Sequence, residues 1–308
     1  MNEGGYDSAR MRRGLVLIGL AAISWGTTGS VTTILVTDAA ASPLIIGLVR
    51  LWLAAIVLVA AAVLLTPPLA IDRADRWRVL VAGAAMAVYQ GSYFSAVVLA
   101  GITVAALISI CSAPLVISTL AALFLGEQLT RRVLVALGLG IAGTGLMIAG
   151  PGGDTAAPSG FIAGAALALL AGIAYAVYAV VTKAGLARSR PLPIAAMNFA
   201  IAAVLLTPAL SWTDAPARQI VLGWPWLLYL GVVATGAAYA AYSIGLRTVP
   251  ASVAGVVALV EPLTATLLGV LVFGERLGAA GVAGAVLLLA ALGLLTTPTR
   301  GSAGSPRG

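Results

Sequence analysis

Histidine is absent from the 308 residues, cysteine occurs once, and charged residues make up only 9% of the chain. Each scarcity closes off a class of chemistry. Without histidine there is no imidazole base and no His-ligated metal, and lone Cys111 cannot form a thiolate–imidazole pair, a zinc cluster or an internal disulfide framework. An ordinary soluble domain carries roughly 25% charged residues, so a chain with 9% has too little polar surface to cover a water-facing globule. Acidic residues are scarcer still, ten against 17 basic ones. The resulting net charge of +7 does not mark a nucleic-acid binder, because the basic residues fall in short clusters between apolar runs rather than along one face or in an arm.

What is present is apolar length. Hydrophobic residues make up 61% of the chain, in repeated runs of about 20, each enough to cross a hydrocarbon core of roughly 30 Å at about 1.5 Å per residue. Charges, prolines and turn residues divide these runs into ten expected helices: 14–36, 43–66, 77–99, 103–125, 132–150, 160–183, 191–210, 224–245, 252–273 and 278–297. Breaks are expected at Ser42-Pro43, Pro67-Pro68, 150–160, Pro191, Pro208, Trp224-Pro225 and Pro250. The first run follows Arg10, Arg12 and Arg13 as a signal peptide would, but it exceeds the usual 7–15 apolar residues of one and reads as the first membrane helix. The tail, 299–308, is rich in Gly, Ser and Pro and is expected to be disordered.

The basic residues orient the chain. With the N-terminus in the cytoplasm, ten spans place 14 of the 17 Lys and Arg on the cytoplasmic side, Arg218 and Arg276 outside, and Arg50 within the second span. That bias is the positive-inside pattern. It predicts a multi-pass protein of the cell inner membrane with both termini cytoplasmic.

The chain also repeats itself. Pro114-Leu115, Leu123 and Gly126-Glu127-Gln128-Leu129 return 148 residues later as Pro262-Leu263, Leu271 and Gly274-Glu275-Arg276-Leu277. The same offset aligns Gly83 with Gly231 and Ala106 with Ala254, and Pro43 pairs with Pro193 at 150. Five spans separate the copies, and five is odd, so the first Gly-Glu turn is expected in the cytoplasm and the second outside. The expected fold is therefore all-α, with ten transmembrane helices as a 5+5 inverted repeat around a central cavity. Residues 1–150 form the first half, 151–159 the joining loop and 160–298 the second half.

Candidate site residues are the polar groups that a membrane interior tolerates poorly. Glu261 lies mid-helix, where an acidic residue costs about 2.5–3.5 kcal/mol, and Pro262 beside it disturbs the backbone. It could bind a substrate ammonium, carry a coupling proton or pair with an arginine. Its repeat-mate is Ala113. Arg50, about two turns into the second span, could snorkel toward the interface, tie to backbone carbonyls or meet a substrate carboxylate. Tyr89, Gln90 and Tyr93 of the third span, Tyr239 and Tyr242 of the eighth, Tyr175 and Tyr178 of the sixth, and Trp25 of the first occupy related places in the two halves. Hydroxyls at that depth need partners, which favours a shared aromatic-lined cavity or packed interhelical bonds. Trp77, Trp212, Trp224 and Trp226 lie near span ends as interfacial anchors, and Asn198 reads as interhelical glue. The glycines of 138–145 and 278–284 predict tight seams in the fifth and tenth helices. Gly126 and Gly274 read as helix C-caps, with Glu127 and Glu275 placed at the start of the following helix.

Ten helices in two inverted halves, Pro-Leu then Gly-Glu closing the fourth helix of each, the opening Ala21-Ala22-Ile23-Ser24-Trp25-Gly26-Thr27-Thr28, and Ser42-Pro43 followed by Arg50 together resemble the EamA branch of the drug/metabolite transporter superfamily. Within that branch the chain looks most like YddG-type amino-acid exporters. The resemblance implies a basket of helices, alternating access and export of small metabolites, most of all amino acids, with the lipid bilayer and a small-molecule substrate as partners. A hydrophobic or cationic drug is the alternative cargo. Anionic conjugates would want more buried cations than Arg50 alone. A membrane-embedded enzyme would need a convergent acid/base or metal set, which Glu261 and Arg50 do not supply. No cofactor and no nucleic acid is expected. There is no Gly-x-x-x-x-Gly-Lys-Ser/Thr loop for ATP, and the residues do not fix an oligomeric state, a monomer being compatible with them.

Overall fold

A computed structural model of the chain describes residues 3–68, 70–149, 160–273 and 278–296. The joining loop 151–159, the Gly274-to-Leu277 turn with Glu275 and Arg276, and the tail 299–308 lie outside the described residues.

The chain is all-helical among those residues: α1 Glu3–Gly26, α2 Thr28–Ala39, α3 Pro43–Leu65, α4 Arg76–Ala100, α5 Ile102–Leu125, α6 Arg131–Ala149, α7 Phe161–Gly185, α8 Pro191–Leu206, α9 Pro216–Gly231, α10 Ala238–Leu246, α11 Ala251–Ala258, α12 Val260–Phe273 and α13 Ala279–Thr296. Among the described residues eight helical runs are long and apolar enough to cross a membrane, α1 with α2, α9 with α10 and α11 with α12 each counting as one run. This is a polytopic α-helical membrane protein.

Local chemistry sets the helix ends. Ser42 accepts from the Ile45 N–H at 3.4 Å while Pro43 opens α3 at its first position, where a missing N–H costs nothing. Prolines likewise open α8 and α9. Gly126 ends α5 with φ 66°, a left-handed conformation natural to glycine, and its N–H returns to the Ala121 carbonyl.

Several breaks differ from expectation. Trp224-Pro225 interrupts nothing: Pro225 sits inside α9, which starts eight residues earlier than the expected 224 because Pro216 nucleates it. The first span breaks at Thr27, the eighth contains a π-helical turn at Val232–Ala237, and the ninth breaks at Leu259. The expected glycine seam exists between α6 and α13. A Cβ on Gly143 would lie 2.6 Å from the Gly284 carbonyl oxygen, so the two backbones are in contact and the seam is internal. Asn198 donates to Thr182 at 3.1 Å, tying α8 to α7.

One end of the bundle gathers the basic loops. Arg190 donates to the Pro67 carbonyl at 3.2 Å, Ser189 to Asp75 at 2.8 Å, and Thr248 to the Arg10 carbonyl at 3.3 Å. Asp75, fully buried, also pairs with Arg78. This basic end is tightly laced. The opposite end holds the Ser42 N–H, which donates to Gln219 at 2.7 Å.

Candidate functional site

A cavity of about 260 Å³ lies among α1, α2, α3, α4, α5, α7, α10, α11 and α12. Seven of the nine expected site residues line it: Trp25, Tyr89, Gln90, Tyr93, Tyr175, Tyr239 and Glu261. Tyr178 and Tyr242 do not. Each sits one turn nearer the basic end than its lining neighbour, Tyr175 or Tyr239, where the bundle closes and both are fully buried. They back the wall instead.

The aromatic rings form a floor. Trp25 packs against Tyr239 with centroids 4.8 Å apart, against Tyr242 at 5.3 Å, and edge-on against Tyr175 at 6.4 Å. Tyr89 meets Tyr175 at 5.3 Å and Tyr93 at 6.1 Å. Phe199 supports Tyr239 from behind at 4.6 Å. Such offset and edge-on pairs add to the area they bury, so the floor is a stiff plug across the basic end. From it the cavity runs toward the other end, lined there by Thr32, Pro43, Val97, Ile102 and Thr103.

Two opposite charges face this space. Glu261 is in the first turn of α12, just past the break at Leu259. An acidic group in that turn meets the positive end of the helix dipole. Pro262 cannot donate to the Ala258 carbonyl, which is why the helix yields there rather than at Glu261 itself. α1 presses against this segment: a Cβ on Gly26 would lie 2.6 Å from the Glu261 carbonyl oxygen. The Glu261 carboxylate lines the cavity, and no protein group among the described residues hydrogen-bonds it.

Arg50, on α3, is fixed from the other half of the chain. Its Nε donates to the Thr235 hydroxyl at 3.0 Å, which donates in turn to the Leu230 carbonyl at 2.7 Å. Thr235 lies in the π-helical turn, a departure from α-geometry often found at functional positions. Arg50 is thus both a tie and a cavity-facing cation. Arg50 and Glu261 line the same cavity, yet the two form no ion pair.

Some lining residues carried no signal in the sequence. Thr32, Thr103, Ser109 and Thr266 add hydroxyls to the wall, and small hydroxyl residues are as common in helix seams as in cavities. Three wall residues hold buried polar atoms without a protein partner, Nε1 of Trp25, Oγ1 of Thr28 and the hydroxyl of Tyr175. A buried donor left unpaired costs roughly 1–3 kcal/mol, so cavity water, a polar ligand or another conformation satisfies them.

The sequence profile of the EamA-like transporter family matches residues 12–149 and again 162–297. The chain belongs to the EamA-like transporter family. It is similar to the "Uncharacterized transporter YwfM" of Bacillus subtilis (strain 168), 36% identical over 276 residues that cover 90% of each chain. It is also similar to an "Uncharacterized transporter" of Archaeoglobus fulgidus, 31% identical over 65% of this chain and 68% of that one. A solved structure titled "Crystal structure of protein" shares the fold, with a TM-score of 0.77 at 23% identity, covering 92% of this chain and 96% of that one. As a member of the EamA-like family the protein is a membrane transporter of small solutes and not an enzyme.

Proposed function

We propose that this EamA-like protein is a secondary transporter that exports small metabolites, foremost amino acids, across the inner membrane by alternating access. In this reading ten crossings form two five-helix halves, inverted with respect to one another, with both termini and the basic end in the cytoplasm. The positive-inside bias of the Lys and Arg residues and the 148-residue repeat support that topology.

The observation that carries the cargo is charge geometry. A carboxylate and a guanidinium face one aromatic-floored cavity without pairing. Two uncompensated charges in a membrane interior are costly, and a zwitterion relieves both: its ammonium meets Glu261 and its carboxylate meets Arg50. A hydrophobic cation is the second reading, favoured by the carboxylate above an aromatic floor, and it leaves Arg50 unused. Counterflow in proteoliposomes with radiolabelled neutral amino acids against cationic dyes separates them. Amino-acid uptake is expected; dye uptake alone would replace this reading with the second. Repeating the assay with an imposed pH gradient distinguishes proton coupling through Glu261 from facilitated flux.

A further inference from the structure

The repeated Gly-Glu turn does not do what its position in sequence suggests. Glu127 was expected at the start of the following helix, but α6 begins at Arg131 and is capped by Thr130, whose Oγ1 accepts from the Val133 N–H at 3.3 Å. The Glu127 carboxylate instead crosses to the second half. It accepts from the Ala251 N–H at 2.6 Å, the Ser252 N–H at 3.0 Å and the Ser252 hydroxyl at 2.7 Å. These are the orphan donors at the start of α11, where a carboxylate is favoured by both hydrogen bonding and the helix dipole.

The same short turn is held from its other side. Lys183, in the last turn of α7, donates to the carbonyls of Leu246 at 2.7 Å, Arg247 at 3.3 Å and Val249 at 2.8 Å. These close the end of α10. The four-residue link from Arg247 to Pro250 is therefore clasped between an anion from one half and a cation from the other.

We propose that this clasp is the gate of the basic end, and that Glu127 and Lys183 are positioning residues for transport. The cavity opens only when the start of α11 leaves Glu127. Three observations carry this. Its Glu127 arm joins the two halves, so they cannot part at this end while it holds, and its Lys183 arm fixes the link that presents the start of α11 to Glu127. The aromatic floor lies on its cavity side, and the lining runs away from it. The repeat-mate of Ala251, Thr103 near the start of α5, is instead exposed at the cavity mouth. One end is clasped while the cavity lining reaches toward the other, as one state of an alternating pair requires. The clasp is also polar throughout, so water can replace its bonds on opening. It acts directly on the site, because α11 leads in ten residues from Ala251 to Glu261.

The inference rests on the transporter reading for its purpose and is tested apart from it. Spin labels on Gln128→Cys and Arg247→Cys, both exposed positions on the two sides of the clasp, in a Cys111→Ser background in nanodiscs, report the rim separation by double electron–electron resonance. The native clasp is expected to give one short distance. Glu127→Ala should add a longer population and lower the closed-to-open ratio by about tenfold, the least that losing a charge-assisted hydrogen bond entails. Glu127→Gln keeps size and one acceptor and should fall between; Lys183→Met should open the rim as well. Unchanged distance distributions in monodisperse Glu127→Gln and Lys183→Met proteins would overturn the gate. A rim that opens in a protein showing no amino-acid counterflow would overturn the cargo and leave the gate standing.

Discussion

α5 and the α11–α12 pair begin from the same instruction and end differently. Both carry Pro-Leu at the same place in the 148-residue repeat. α5 runs unbroken from Ile102 to Leu125 with Pro114 inside it, whereas the second copy breaks at Leu259, three residues before Pro262. A proline removes one helical hydrogen bond and crowds the preceding turn, but neighbours decide whether the helix bends or parts. At the second break, the end of α1 pushes against the Glu261 backbone and α11 is pinned at its start by Glu127. The residue before each proline differs as well: Ala113 in one copy, Glu261 in the other. Shared residues build the scaffold, and the chemistry lies where the copies diverge.

The sharpest way to break the comparison is to erase the divergence. Glu261→Gln should lower amino-acid counterflow by about 100-fold or more, on the scale of removing one partner of a buried charge interaction, with the protein still monodisperse. The pH dependence follows with a definite sign. Acidification protonates Glu261 and removes the ammonium's partner, so wild-type counterflow should fall with decreasing pH on the cavity side, while Glu261→Gln should be flat. Ala113→Glu should not restore transport to Glu261→Gln, because a carboxylate there lines the cavity from mid-α5 rather than from the first turn of a helix.

Arg50 offers an intermediate effect. Arg50→Leu should weaken amino-acid counterflow by about 10- to 100-fold and leave any uptake of cationic dye unchanged, since only a zwitterion uses both charges. Arg50→Lys should recover part of it, as an ammonium supplies charge without the guanidinium's fork. Equal loss for amino acids and dyes would reduce Arg50 to a structural tie to Thr235.

The prolines should give the smallest and most asymmetric result. Pro262→Ala restores an N–H and favours a continuous helix past Leu259, and about a tenfold loss of counterflow is expected. Pro114→Ala should change counterflow by less than about twofold and shift stability by about 1 kcal/mol at most, read as thermal melting in detergent. Similar effects from both would mean that the break has no part in transport.

Much of this architecture was legible in the residues. Apolar runs and scarce charge identify the helices, and the helix starts at Pro43 and Pro191 follow from local caps. Glu261 stood out because a mid-membrane carboxylate is expensive, and the paired tyrosines pointed to the cavity floor. What was not legible depends on long-range contact. Pro225 passes inside α9, Leu259 ends α11, and Thr235 accepts from Arg50 only because a π-helical turn presents it. Glu127 looked like a cap for its own neighbour, since nothing in the sequence places it beside Ala251, 124 residues away. Tyr178 and Tyr242 shared the spacing of the lining tyrosines, and only the closure of the basic end separates them from the cavity.

The central claim is that Glu261 and Arg50 together receive a zwitterion. Its most direct test is counterflow in proteoliposomes of a neutral amino acid, challenged with its methyl ester and its N-acetyl derivative, each lacking one of the two charges. The account predicts that the free amino acid competes and that neither derivative does. Competition by the ester equal to that of the free amino acid, or by a cationic dye in its place, would contradict it.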